Sequence, residues 1–216
     1  MELIDSIKAV LFDLDDTLMQ TRNTKVKAIK TLGLRYYNYE IPDELIDKHW
    51  ETPFSSFYEN IFMAVDEDLD RIVERREMIS EEFRNQPYAD AKPVLTYLLA
   101  KYKVGIITTS SRKAVDSELA HTDLPVLQLD FIQTAEDTFY HKPDPKVFDP
   151  SIEKLIAQGI KRSEILHIGD SLNDYMAATD AGLHFIGIAG NTTPETTFTR
   201  KNIQFVLTLS DLKAIL

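Results

Sequence analysis

The chain has no cysteine among its 216 residues. That absence removes disulfides, thiolate metal sites and cysteine nucleophiles together, and it excludes a secreted disulfide scaffold. A run of about 18 consecutive apolar residues is also lacking, so no membrane-spanning helix is expected. The opening MELIDSIKAVLF breaks its apolar residues with Glu2, Asp5 and Lys8, unlike the uninterrupted hydrophobic region of a signal peptide. The cytoplasm is therefore the expected location. Positive charge is scarce too, because a formal net charge of -11 repels phosphate backbones and anionic lipid overall. The densest basic stretches, Lys25 to Lys30 and Arg71 to Arg76, are short, and the second is interrupted by Glu74. Both read as solvated helix faces, and neither a nucleic-acid nor a membrane partner is expected. Internal repeats and low-complexity tracts are absent.

What remains is an ordinary globular composition, 44% hydrophobic and 27% charged, with enough chain for a sizeable core. The length allows one domain carrying an insertion or two small domains. Ile7 to Phe12 is a short apolar run broken only by Lys8, and it ends abruptly at Asp13, Asp15 and Asp16. A buried strand of a parallel sheet reads this way, with polar residues pushed to its carboxyl end. Similar runs recur at Lys103 to Thr108, Ile165 to Gly169, His184 to Gly187 and Ile203 to Leu207, with a weaker one at Asp130 to Thr134. Helix-period segments lie between them at Lys92 to Tyr102, Arg112 to His121, Pro145 to Gln158 and Ser171 to Ala181, and a short one starts at Ser210. Strands alternating with helices predict a doubly wound, mostly parallel α/β sheet.

One stretch breaks the alternation. From about Met19 to Pro87 no strand is evident, whereas Thr24 to Leu34, Pro42 to Trp50, Pro53 to Val65 and Asp68 to Asn85 each draw as a helix with one apolar face. A connection that long inside a sheet is expected to be a helical domain of its own. The expected division is thus residues 1–18 and 88–216 for the α/β core and 19–87 for an insertion after the first strand. Trp50, Phe54, Phe57 and Tyr58 fall at roughly helical spacing within it and read as packing among its helices.

In open α/β sheets, ligands bind beyond the carboxyl ends of the strands. Asp13 and Asp15 follow the first run, Thr108 and Thr109 the second, and Asp170 follows Ile165 to Gly169, with Asp174 four residues on. Lys142 precedes a segment whose prolines suit a helix start. Two carboxylates about 4 Å apart repel by roughly 4 kcal/mol at an effective dielectric near 20, so several together take up protons or recruit cations. Carboxylate oxygens with open positions suit Mg²⁺. With such a cation and the Lys142 ammonium, the pocket becomes attractive to a phosphoryl dianion.

Phe12 to Leu18 (FDLDDTL), Ile107 to Ser111 (ITTSS), His141 to Pro145 (HKPDP) and Gly169 to Asp174 (GDSLND) resemble, in order, the four motifs of the haloacid dehalogenase superfamily. Any one alone is weak, since Asp and Thr after a strand are commonly turn or cap residues and a lone lysine is commonly solvated. Four in order, each at a strand end or helix start, carry the resemblance.

The resemblance implies a Mg²⁺-dependent phosphatase acting on a small phosphorylated metabolite. Asp13 is implied as the nucleophile that becomes phosphorylated, and Asp15 as the group that protonates the leaving oxygen and then takes a proton from water. Thr108 and Lys142 are implied as partners of the transferring phosphoryl group, with backbone N–H groups near Leu14 and Thr109 joining them. Asp13, Asp170 and the main-chain oxygen of Asp15 are implied as metal ligands, and Asp174 as a helper through water or loop orientation. Family members often carry Asn where Thr109 stands, which leaves a backbone role there. Asp16 reads as a turn residue, Thr17 as a brace of the loop, Ser171 as a helix start, His167 as a hydrogen-bonded core residue, and His141 as a neighbour within reach of substrate. The insertion is implied as a cap that closes over the site, with hinges near Gln20 and Pro87.

Three other readings stay open. A phosphosugar mutase uses similar groups. A phospho-accepting signalling module resembling a receiver also combines acids, a hydroxyl, a lysine and Mg²⁺, although receivers lack a large helical insertion after the first strand. A catalytically dead binding domain is disfavoured, because every expected position is kept. The carboxylate at Asp15 argues against dehalogenases and phosphonatases, which lack one there. Monomer and homodimer are both open.

Overall fold

A computed structural model describes residues 6–50, 52 and 54–216, the side chain of Phe54 excepted. Six strands form one sheet: β1 Ala9–Phe12, β2 Lys103–Ile107, β3 Phe131–Gln133, β4 Ile165–Gly169, β5 His184–Ile188 and β6 Phe205–Val206. Their spatial order is β3-β2-β1-β4-β5-β6, and every pairing is parallel. All four residues of β1 are buried, which explains its uninterrupted apolar sequence: the strand is covered on both faces. Val10 and Phe12 join one core layer with Val104, Ile106, Leu166 and Ile168, while Ala9 and Leu11 join the opposite layer with Ile107 and Ile165. The period of two along each strand thus divides its side chains between two cores.

The chain separates into two units, Met1–Gln20 with Gln86–Leu216, and Thr21–Asn85. Met19, Gln20, Gln86 and Pro87 therefore fall in the sheet unit, where Met19 pairs with Pro87 in an antiparallel bridge and Gln20 N–H donates to Gln86 O at 2.8 Å. The inserted unit is made of α1 Thr21–Tyr37, α2 Asp43–His49, α3 Phe54–Phe62 and α4 Leu69–Met78, followed by a 3₁₀ turn at Ser80–Glu82. It has its own core, in which Ile29, Leu32, Ile46, Phe57, Ile61, Phe62 and Ile72 are buried. Trp50, the single tryptophan of the chain, packs edge-on to Phe57 and beneath the Arg22 guanidinium at 4.3 Å. Tyr58 joins Phe57 edge-on, so three of the four aromatics read as helix packing do pack together; the Phe54 side chain and Pro53 lie outside the described residues. Buried Asp66 accepts from Arg71 Nε at 2.7 Å and from Asp68 N–H at 3.0 Å.

In the sheet unit, α5 Ala91–Leu99 and α6 Arg112–Leu119 pack on the first core layer, and α7 Asp149–Ile156 and α8 Leu172–Asp180 on the second. This is the doubly wound arrangement expected. Two further helices, α9 Glu195–Arg200 and α10 Leu212–Ile215, follow later strands. Three local expectations differ. The segment read as one helix from Pro145 is a 3₁₀ turn over Pro145–Phe148, and α7 begins at Asp149 with Pro150 in its first turn. The run at Ile203 to Leu207 yields only a two-residue edge strand. No helix was expected at α9, whose ETTFTR is rich in weak helix formers. Among the described residues, no helix is long and apolar enough to cross a membrane.

Candidate active site

The carboxyl ends of the central strands place the acidic residues together. Asp13 continues β1 by one residue, its N–H donating to Ile168 O at 2.8 Å, so it is held level with the end of β4. Asp170 follows β4 directly. Asp174 comes back to the same point because Ser171 caps α8: Ser171 Oγ accepts from Asp174 N–H at 3.0 Å, and Asp174 Oδ2 accepts from Ser171 N–H at 3.2 Å. This reciprocal box starts the helix and fixes the carboxylate at once. Gly169 makes room for it, since a Cβ there would fall 2.5 Å from Asp174 Cγ.

Each of Asp13, Asp170 and Asp174 is buried, and each offers an oxygen within 4.8 Å of the others. Lys142 Nζ stands among them, 2.6 Å from Asp13 Oδ1 and 2.5 Å from Asp174 Oδ1, and donates to Ile107 O at 3.1 Å. The peptide between Lys142 and Pro143 is cis. Thr17 Oγ1 donates to Asp170 Oδ1 at 3.5 Å and so ties the loop after β1 to β4. That loop turns through Asp16, whose φ of 56° is the left-handed conformation tolerated by Asp in turns.

One ammonium faces three buried carboxylates, and the protonation equilibria register the shortfall. Burial pushes the Asp13 carboxyl up to about 7, with Asp174 and Asp15 adding to the effect and Lys142 opposing it. Burial, then the like charges of Asp13 and Asp174, drive Asp170 well above the usual carboxylate range. For Asp174, burial is outweighed by Lys142 and His167, which hold it below that range. Burial alone would lower Lys142, but Asp13 and Asp174 hold its ammonium above the ordinary lysine value.

His167 is buried in β4, with Nε2 3.0 Å from Asp174 Oδ1 and Nδ1 3.1 Å from Leu11 O. It is the hydrogen-bonded core residue expected, and it also backs a site carboxylate. Thr108 is buried at the end of β2. Asp15 lies on the loop after β1, but its carboxylate stands apart from the metal-sized cluster and accepts from Ser110 Oγ at 2.9 Å. Thr109 and His141 are exposed. Sequence reasoning gave Ser110 no role; the only signal was its place two residues beyond the strand-end Thr108.

The donor set is hard oxygen, buried, and short of positive charge, which fits a small divalent cation such as Mg²⁺ held by Asp13, Asp170 and Asp174. Buried carboxylates, a hydroxyl, an ammonium and a separately held carboxylate gather at one sheet edge, a set suited to binding and transferring an anionic group.

Comparison with known proteins agrees. A model of haloacid dehalogenase-like hydrolases matches residues 10–188. Pyrophosphatase PpaX of Bacillus pumilus is 29% identical over 216 residues, covering 97% of this chain and 96% of its own. Two solved structures share the fold: a candidate beta-phosphoglucomutase of Thermotoga maritima (TM-score 0.82, 18% identity, 97% and 100% of the two chains), and a candidate HAD-hydrolase, YfnB of Bacillus subtilis, bound to magnesium (TM-score 0.74, 19% identity, 97% and 98%). With four motifs at one sheet edge and a family match spanning most of its length, the chain belongs to the haloacid dehalogenase-like hydrolases.

Proposed function

We propose that this hydrolase is a phosphatase that cleaves a small phosphate ester through an aspartyl phosphate on Asp13. The observation that carries the reading is the contact of Lys142 Nζ with Asp13 Oδ1 at 2.6 Å inside a cluster of buried acids. Asp13, Asp170 and Asp174 would hold Mg²⁺, which supplies charge neutralisation for an anionic substrate.

This chain's own groups do the rest. Lys142 and Thr108 bind the phosphoryl oxygens. An Asp13 oxygen bonds to phosphorus as the ester P–O bond breaks, and its electron pair leaves with the ester oxygen, which takes a proton from Asp15. In the second half, a water loses a proton to Asp15 as its oxygen bonds to phosphorus and the Asp13–phosphorus bond breaks, regenerating both acids. We assign substrate choice to the helical insertion, on the family resemblance and on its being a unit with its own core.

A panel of phosphate monoesters plus inorganic pyrophosphate, assayed with Mg²⁺ for released phosphate, tests the reading, with Asp13→Asn as the matched control. Pyrophosphate belongs in the panel because the Bacillus pumilus relative is named for it. Release by the wild type and none by Asp13→Asn is expected. Equal release by both would overturn the covalent role, and isomerisation of a hexose 1-phosphate without net release would replace phosphatase by mutase.

A further inference from the structure

Ser110 is fixed at every polar group it owns. Its N–H donates to Thr108 Oγ1 at 3.1 Å, its carbonyl accepts from Ala135 N–H at 3.0 Å, and its hydroxyl donates to Asp15 Oδ2 at 2.9 Å. The next residue, Ser111, caps α6 by accepting from Ala114 N–H at 3.3 Å, so the backbone that follows is anchored as well. A hydroxyl carries a single hydrogen. Ser110 directs that hydrogen at Oδ2, so the Asp15 carboxylate is held through this oxygen. By the same count, Thr108 Oγ1 accepts from Ser110, so the hydrogen of Thr108 points elsewhere. One residue therefore touches both side chains that flank the reacting phosphoryl in the proposed reaction.

We infer that Ser110 is a positioning residue for Asp15, holding its carboxyl group in place for proton transfer to the leaving oxygen. The inference rests on the phosphatase reading. In the step concerned, the Asp15 proton passes to the ester oxygen as that oxygen departs with the P–O electron pair, and Asp15 is left as a carboxylate held by Ser110 through Oδ2. A serine that only stapled the loop would affect all substrates alike. A serine that aims a proton donor matters most where the leaving oxygen is basic and needs the proton, and less for a phenolate-type leaving group that departs as an anion.

The test compares wild type, Ser110→Ala and Ser110→Thr with Mg²⁺ on p-nitrophenyl phosphate and on an alkyl phosphate that the wild type hydrolyses, with Asp13→Asn alongside. General acid catalysis is worth about 10² to 10⁴ in rate, so Ser110→Ala is expected to lower kcat for the alkyl ester at least about tenfold more than for the aryl ester. Ser110→Thr, which keeps the hydroxyl, is expected to recover most of that difference, and Asp13→Asn to lose both esters together. Equal losses on the two esters, or none, overturn the positioning role while leaving the phosphatase reading intact. If the wild type releases phosphate from no ester in the panel, the phosphatase reading falls and this inference with it. Should Ser110→Ala fail to fold, Ser110→Cys, similar in size with a weak donor, carries the same comparison.

Discussion

A Cβ placed on Gly169 would lie 2.5 Å from Cγ of Asp174, so the glycine that ends β4 is the reason this carboxylate can approach the sheet edge at all. The nearest atoms belong to a side chain already fixed by Ser171, His167 and Lys142, and it has nowhere to retreat. Gly169→Ala is therefore expected to destabilise the protein by about 1 to 3 kcal/mol, as overpacking does. The same change should weaken Mg²⁺ binding. Urea unfolding and metal titration by calorimetry check the two halves; unchanged metal affinity would show that Asp174 tolerates displacement.

Lys142 is the ammonium among three buried acids, with its side chain 6% exposed. Replacing it by Met leaves those charges without their partner, a change that in buried pairs costs about 3 to 5 kcal/mol. We expect Lys142→Met to fall within that range in metal-free urea unfolding and to lose phosphate release by at least about a hundredfold, as for other electrostatic stabilisers of a charged transition state. A variant as stable as wild type would mean the acids protonate instead.

Metal should act on stability in the opposite sense. Binding to the folded state alone stabilises by about 2.7 kcal/mol at a hundredfold excess over Kd, so Mg²⁺ is expected to raise the melting temperature and a chelator to lower it. Asp170, driven upward by burial and by like charges, gives a sharper version. Asp170→Asn removes one of the repelling groups and should make the metal-free protein more stable than wild type, while abolishing the Mg²⁺ shift. Thermal melts with and without metal read both effects, and a persisting shift would remove Asp170 from the ligand set.

The insertion has its own acid sensitivity. Hydrogen bonds from Arg71 hold the Asp66 carboxyl below its ordinary value of 3.8. A carboxylate depressed in the folded state binds its proton more weakly there than in the unfolded chain. Its stabilising contribution is thus complete above about 3.8 and is lost as pH falls from there through the depressed folded value. Trp50 reports on this unit alone, because it is the chain's single tryptophan and packs within it. Acid unfolding followed by Trp50 fluorescence should begin at a higher pH in Asp66→Asn; coincident curves would show that the network adds no stability.

The legible parts of the fold were those in which burial dictates composition. β1, β2 and β4 are covered on both faces, so their sequences are largely apolar, broken only by Lys103 at the start of β2 and His167 within β4, and the acids beyond β1 and β4 declare the sheet's carboxyl edge. β3 and β6 were faint because they are edge strands of three and two residues with no room for a pattern. α9 was invisible because its residues are held helical by Phe198 packing into the fold rather than by their own preference. Within the site, Asp13, Asp170, Asp174 and Lys142 could be nominated from sequence because the motifs that hold them follow the order of the family they resemble, whereas each alone reads as a turn, cap or solvated residue. Ser110 could not: a serine's partner is chosen by tertiary geometry, and the residue that accepts from it is distant in the chain.

The chain departs for its helical excursion and comes home through neighbouring residues, bonded to each other across Gln20 and Gln86. Such an excursion can be exchanged like a cartridge. A turn joining those two glutamines would close the sheet without rethreading a strand, and a different bundle could be spliced at the same point while the sheet unit kept its residues. In a protein built this way, one continuous stretch of sequence can be replaced while every acid and base of the sheet unit keeps its place.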